Sequence, residues 1–228
     1  MSVNNKRVIV SMTSWTKRIG NVSHVVYSLL KQTVKPDSIE VNLSTEEFPN
    51  KENDLPVDLV DMLNEGLVQI NWVEKNTGVF KKFIPVLQKY YGEDYYLLSV
   101  DDDWIYNENY IETMIGRIGD TDAYCLIHDA FHGYCMIYRS RLFKENFWKS
   151  ITPKMLSYNI SDHYIRSYLL KFGGKFSKAN HSDKFEFLQI FNPVFPNSRN
   201  KNPKSDNYDV NRVNAAYLEI NNVIKNMV

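Results

Sequence analysis

The chain has 228 residues, 43% of them apolar, enough for a sizeable core in a single domain. Its 27 basic residues balance 27 acidic ones, which argues against a broad electrostatic grip on nucleic acid. No apolar run approaches the ~20 residues of a membrane span, and no N-terminal stretch reads as a signal peptide, so a cytoplasmic protein is expected. Cys125 and Cys135 lie in neither a CxxC pair nor zinc-ligand spacing and read as small apolar core residues.

The N-terminal half alternates between two periodicities. Arg7–Met12 is a β-branched run and reads as a strand. Over Asn21–Gln32 the apolar residues Val22, Val25, Val26, Leu29 and Leu30 have helical spacing. Ile39–Leu43 reads as a second strand, Val57–Asn64 as a short helix and Val68–Val73 as a third strand. Phe80–Tyr90 places Phe83, Ile84 and Leu87 on one helical face, and Tyr95–Val100 is a fourth strand. Strands alternating with helices imply right-handed crossovers and a mostly parallel sheet. Further on, Ala123–His128 and Tyr134–Tyr138 read as strands, and Arg141–Lys149 and Ser161–Lys171 as helices. Gly173 and Gly174 close the second of these helices. Residues 192–207, rich in Pro, Asn, Ser and Lys, read as a loop. Val210, Val213, Tyr217, Ile220 and Ile224 form the apolar stripe of a last helix. Its polar side is mainly Asn, so core packing is expected rather than a membrane face.

The fourth strand ends in three consecutive carboxylates, Asp101, Asp102 and Asp103. Adjacent like charges repel, and a divalent cation relieves that repulsion. Hard cations take one or two carboxylates together with substrate phosphates, and ligands of open α/β sheets bind beyond the carboxyl ends of the strands. The competing interpretation is a solvated acidic turn capping a helix that starts near Asn107. On an extended chain side chains alternate, so Asp102 is expected to point away from Asp101 and Asp103 and to matter less.

Four other segments carry chemistry-bearing residues. The first strand runs into Ser11-Met12-Thr13-Ser14-Trp15-Thr16-Lys17-Arg18, hydroxyls and cations suited to a nucleotide or to an ordinary polar loop. Asn76–Lys82 joins Gly78, which allows close backbone approach, to Lys82, a partner for phosphate. Gly133 precedes a strand, either as a bulge or as a surface that a substrate ring approaches closely. Asp162 and His163 open a helix, as a cap or as a general base. His181 is either an ordinary histidine or a late metal ligand.

Taken in order, VSMTSWTKRI, QTVKPDSIEVNLSTEEFP, GVFKK, LLSVDDDWIY, GYCMIYRSRLF and SDHYIRSYLLKFGG resemble the GT-A fold nucleotide-sugar glycosyltransferases. Within that family the chain resembles the small bacterial enzymes of surface-polysaccharide synthesis. The resemblance runs from about Val8 to about Lys178. It implies one α/β domain with a Rossmann-like, mostly parallel sheet flanked by helices. A nucleotide-sugar half would span residues 1–106, a smaller acceptor-side region 107–191, and a loop and C-terminal helix 192–228. It also implies Mn²⁺ or Mg²⁺ on Asp103, with Asp101 at the ribose, donor sugar or metal and Asp102 beside them. Thr13, Arg18 and Lys82 would line the nucleotide pocket, and Gly133 would lie under the acceptor. Asp162 would be the base. Relatives commonly carry a second acidic residue where this chain has His163, which leaves the two in competition. His181 matches a later metal histidine by position alone. The implied partners are a nucleotide-sugar donor, expected to be a UDP-sugar, and a glycan or lipid-linked acceptor. Neither nucleic acid nor a membrane span is implied, and peripheral membrane contact is compatible with the pattern. The rival expectations are a nucleotidyl or phosphoryl transferase and a catalytically silent sugar-nucleotide binder.

Overall fold

The computed structural model describes residues 6–125, 136–158, 161–178, 187–189 and 210–227. A seven-stranded sheet forms its centre, with strand order β3-β2-β1-β4-β7-β6-β8. The strands are β1 (Arg7–Thr13), β2 (Ser38–Ser44), β3 (Gln69–Val73), β4 (Tyr95–Ser99), β6 (Ala123–Cys125), β7 (Met136–Arg139) and β8 (Phe176–Lys178). From β3 to β4 every neighbour is parallel, and β7 runs antiparallel to both β4 and β6. A separate antiparallel pair joins β5 (Trp104–Tyr106) to β9 (Phe187–Gln189), which brings a distant segment beside the residues that follow β4.

Helices cover both faces, as an α/β sheet of buried strands requires. On one face α1 (Val22–Leu30), α2 (Val57–Asn64) and α4 (Tyr110–Ile118) pack on Val8, Val10, Met12, Ile39, Val41 and Leu43. On the other, α3 (Ile84–Lys89), α5 (Glu145–Lys149), α6 (Pro153–Tyr158), α7 (Ser161–Lys171) and α8 (Val210–Asn226) surround Ile9, Leu97 and Tyr138. Ile220 and Ile224 of α8 are buried there, as their stripe suggested, and Cys125 is buried as well. Cys135, Gly133 and His181 lie outside the described residues, as do the side chains of Val210 and Val213. No helix among the described residues is long and apolar enough to cross a membrane.

Two expected helices are broken. Instead of one helix over Phe80–Tyr90, a 3-10 turn at Gly78–Lys82 precedes α3, with Pro85 in the first turn of α3. Proline has no N–H to donate to the preceding turn, so the chain bends at Phe83. Arg141–Lys149 likewise divides into a 3-10 turn, Ser140–Leu142, and α5. The α7 terminus follows expectation. Gly173 takes φ +75°, its N–H donates to the Leu170 carbonyl, and Gly174 donates to the Leu169 carbonyl. This is the paired-bond stop that a left-handed glycine makes possible.

The sheet is not apolar throughout. On β2, Ile39, Val41 and Leu43 enter one core, while Ser38, Glu40, Asn42 and Ser44 face the other side and are also buried. Their polar atoms are met by a network. Asn71 donates to Glu40 Oε2 at 2.7 Å and to Asn42 Oδ1 at 2.9 Å, Asn42 donates to Ser11 Oγ at 2.9 Å, and Ser11 donates to the Lys82 carbonyl at 2.6 Å. The segment from Gly78 to Tyr90 thus docks on the sheet partly through hydrogen bonds and ion pairs. Lys81 pairs with Glu47, Lys82 with Asp101 and Lys89 with Glu40.

Candidate functional site

The crossover from β1 leads to β2 on one side of the sheet, and β4 lies on the other side of β1. Chain order therefore reverses between the carboxyl ends of β1 and β4, the place where open α/β sheets take ligands. Two of the polar segments read from the sequence meet here: Thr13–Arg18 leaves β1 and Asp101–Asp103 leaves β4. Lys82 reaches the same edge from the 3-10 turn.

The contacts are ionic. Arg18 Nη2 donates to Asp102 Oδ1 at 2.8 Å and Nη1 to Asp103 Oδ2 at 2.8 Å. Lys82 Nζ pairs with Asp101. The Asp101 backbone N–H donates to the Tyr106 hydroxyl at 2.9 Å, which ties the turn to β5. Arg18 is placed by its own turn, in which its N–H and that of Ile19 both donate to the Trp15 carbonyl at 2.9 Å. Thr13 ends β1 and donates its hydroxyl to the Asn42 carbonyl at 2.7 Å.

The three aspartates differ in surroundings, as alternation along an extended chain requires. Asp102 is 1% exposed, whereas the side chains of Asp101 and Asp103 retain 14% and 21%. Ser14, which the sequence showed only as one hydroxyl in a polar run, donates to Asp102 Oδ2 at 2.6 Å. Burial pushes the Asp102 carboxyl up to about 6. The Arg18 charge and the Ser14 hydrogen bond oppose that rise, and the neighbouring Asp103 and Asp101 charges add to it.

The donor set also bears on the metal. Asp101 and Asp103 are partly exposed hard oxygen donors on either side of Asp102, whose two oxygens are bonded within the chain. Two carboxylates are what Mg²⁺ or a similar ion takes from protein when phosphate oxygens fill the remaining positions. Among the described residues no group of three or more His, Cys, Asp or Glu is arranged to hold an ion without help. The residues therefore fit a divalent ion held jointly with a diphosphate rather than a closed protein cage.

Asp162 lies in the first turn of α7, and its charge acts on Tyr138 of β7. Tyr138 on β7 is fully buried; burial raises its phenol well above the usual value, and the Asp162 charge adds to the rise. The Tyr138 hydroxyl donates to Met136 Sδ at 2.8 Å, and Ser99, two residues before Asp101, offsets part of the rise. His163 is engaged elsewhere. Its Nε2 is 2.6 Å from the Tyr217 hydroxyl of α8, with the rings edge to face at 4.3 Å. The sequence offered no sign of the His163–Tyr217 pair, which joins residues 54 positions apart.

By sequence the chain matches no family model and no curated protein. By structure it resembles S. aureus TarS 1–349 in complex with UDP-GlcNAc, with a TM-score of 0.59 at 14% identity over 93% of this chain and 66% of that one. It also resembles the M. tuberculosis glucosyl-3-phosphoglycerate synthase, in complex with Mn²⁺, UDP and phosphoglyceric acid. There the TM-score is 0.57 at 10% identity, over 83% of this chain and 72% of the other. A third likeness, with a TM-score of 0.50 at 9% identity over 96% and 98% of the two chains, is to the 4-diphosphocytidyl-2C-methyl-D-erythritol synthase of Anaerococcus prevotii DSM 20548. The chain spans 37% of a longer TarS chain. Its fold is the α/β, Rossmann-like GT-A fold of nucleotide-sugar glycosyltransferases.

Proposed function

We propose that this protein transfers a sugar from a nucleoside-diphosphate donor, a UDP-sugar first among candidates, to a hydroxyl of a glycan or lipid-linked acceptor. The observation that carries the reading is the meeting of Arg18 and Lys82 with Asp101–Asp103 at the switch point of the sheet. Cations and carboxylates interleaved at that point suit a diphosphate and a divalent ion together. The likeness of fold to glycosyltransferases supports it.

Asp101 and Asp103 would hold Mn²⁺ or Mg²⁺, and Lys82 and Arg18 would bind phosphate oxygens from the protein side. When bound, the ion supplies Lewis-acid stabilisation of the charge that grows on the departing diphosphate. Thr13, at the end of β1, would border the nucleotide. In an inverting single displacement the acceptor oxygen attacks the anomeric carbon. The bond from that carbon to the diphosphate breaks, and the acceptor proton passes to the Asp162 carboxylate. His163 is the weaker candidate base, because its Nε2 is engaged with Tyr217.

A second reading, nucleotidyl transfer, is favoured by the likeness to an enzyme whose name gives a diphosphocytidyl product. Incubation with Mn²⁺ and panels of nucleotide sugars, or of nucleoside triphosphates with sugar phosphates, separates the two. Released nucleoside diphosphate with sugar on an acceptor is the expected result. Released pyrophosphate would establish the second reading, and binding without turnover would leave a silent binder.

A further inference from the structure

Asp102 is the one aspartate of the three that the proposed chemistry does not use, yet it is the most deeply buried, and both its oxygens are bonded. Ser14 donates to its Oδ2 at 2.6 Å and Arg18 Nη2 to its Oδ1 at 2.8 Å, within an environment that leaves it 1% exposed. The same guanidinium sends Nη1 to Asp103 Oδ2 at 2.8 Å. Arg18 therefore does not grip one carboxylate with both nitrogens. It forks across two neighbouring residues, one buried and one partly exposed.

We propose that Asp102 is a positioning residue which, with Ser14, anchors Arg18 and through it sets the phosphate-binding edge of the site. This inference rests on reading the site as a nucleoside-diphosphate pocket. The two ends of the fork are unequal. Releasing Arg18 from Asp102 would leave a buried carboxylate without its counter-charge, a costly change. Asp103 is the more exposed partner and loses less on release, because water can take over. Asp102 is thus the fixed end and Asp103 the exchangeable one. Nη1 is the nitrogen that exchanges Asp103 for a phosphate oxygen while the guanidinium stays anchored through Nη2. A guanidinium suits this role because its nitrogens are held in one rigid plane, whereas the Lys82 ammonium is a single point of charge. Ser14 completes the device by fixing the carboxylate plane.

The test uses the full-length protein and two kinds of readout. The first is the Arg18 side-chain NMR signals without ligand, where an anchored guanidinium rotates slowly. Slow rotation is expected in wild type and in Asp103→Asn, with fast rotation in Asp102→Asn and intermediate rotation in Ser14→Ala. The second is calorimetric titration with UDP and with uridine in the absence of metal. Asp102→Asn should weaken UDP binding roughly 10–100-fold, the worth of one charge-assisted hydrogen bond, and leave uridine nearly unchanged. Ser14→Ala, the milder change, should shift UDP in the same direction and guards against an Asp102 variant that does not fold. Equal losses for UDP and uridine, or rotation slowed by Asp103 instead of Asp102, would overturn the proposal. A wild-type protein that binds no nucleoside diphosphate would remove the pocket reading, and the guanidinium signals alone would then decide whether Asp102 anchors Arg18.

Discussion

Glu40 and Asp102 are both almost fully removed from water, at 0% and 1% exposure, yet their environments push them in opposite directions. Burial alone would raise Glu40. Hydrogen bonds from Tyr90, Ser38, Asn71 and Lys89 outweigh it and hold that carboxyl below its usual range. Asp102 has one hydroxyl, shares one guanidinium with Asp103, and has a carboxylate neighbour on each side, so burial wins and it rises to about 6. Glu40 sits in the middle of β2, where the protein supplies every partner its carboxylate needs. The aspartates sit at the open edge, where their partners are side chains that a cation and a diphosphate would rearrange. Both carboxylates are hydrogen-bonded; Glu40 has enough donors to outweigh its burial, and Asp102, between two other carboxylates, does not.

The largest expected effect lies outside both carboxylate regions and tests whether the edge is catalytic. Asp162→Asn keeps shape and a capping oxygen but removes the basicity. It should lower turnover by ~10²–10⁴, the usual worth of a general base, with donor affinity little changed. His163→Gln should be mild. Near-normal turnover in Asp162→Asn would take Asp162 out of the mechanism.

Glu40→Ala tests the structural side. Lys89, Tyr90, Ser38 and Asn71 would lose their shared acceptor; water takes over the Lys89 charge, which is 35% exposed, and each buried polar group left unpaired costs about 1–3 kcal/mol. Denaturant unfolding should record that loss, while the protein that remains folded should bind UDP normally. A stable variant with impaired UDP binding would reverse the roles given to the two regions.

Acid titration of stability sharpens the same contrast, because the signs are opposite. The Glu40 carboxyl is lowered when folded, so its contribution is present above its unfolded value of 4.5 and lost as pH falls below it. Asp102 is raised from 3.8 to about 6, so its contribution is full below about pH 4 and lost as pH rises through about 6. A shift of that size corresponds to roughly 2–3 kcal/mol. Asp102→Asn should therefore flatten the decline in stability between about pH 4 and 6, as read by denaturant midpoints. An unchanged slope in that variant would contradict the raised value.

Lys82→Ala gives the smallest effect, a loss of roughly 1–3 kcal/mol in UDP affinity with uridine affinity kept. Equal losses for the two ligands would show that Lys82 does not act on phosphate.

Much of this architecture was legible because apolar periodicity and abrupt changes of charge are local signals. The first four strands and the helices α1, α2 and α7 follow from spacing alone, and three carboxylates after an apolar strand announce a sheet edge. Strands β5, β8 and β9, of three residues each, are too short to carry a period. The break at Phe83 was hidden because apolar spacing continues through Pro85. The buried polar face of β2 was equally hidden, since Ser38, Glu40 and Asn42 alternate as residues on a solvated face would. The Arg18 fork joins residues 85 positions apart, and no local pattern encodes which cation meets which carboxylate. Ser14 became significant only once its hydroxyl was seen on Asp102.

Asp101 and Asp103 are proposed to hold a divalent ion together with a diphosphate. Calorimetric titration of UDP with and without Mn²⁺, into wild type and Asp103→Ala, tests it most directly. Wild type should bind UDP much more tightly with Mn²⁺, and Asp103→Ala should lose that increment while keeping the metal-independent affinity that Lys82 supplies. An increment of the same size in Asp103→Ala would contradict the assignment.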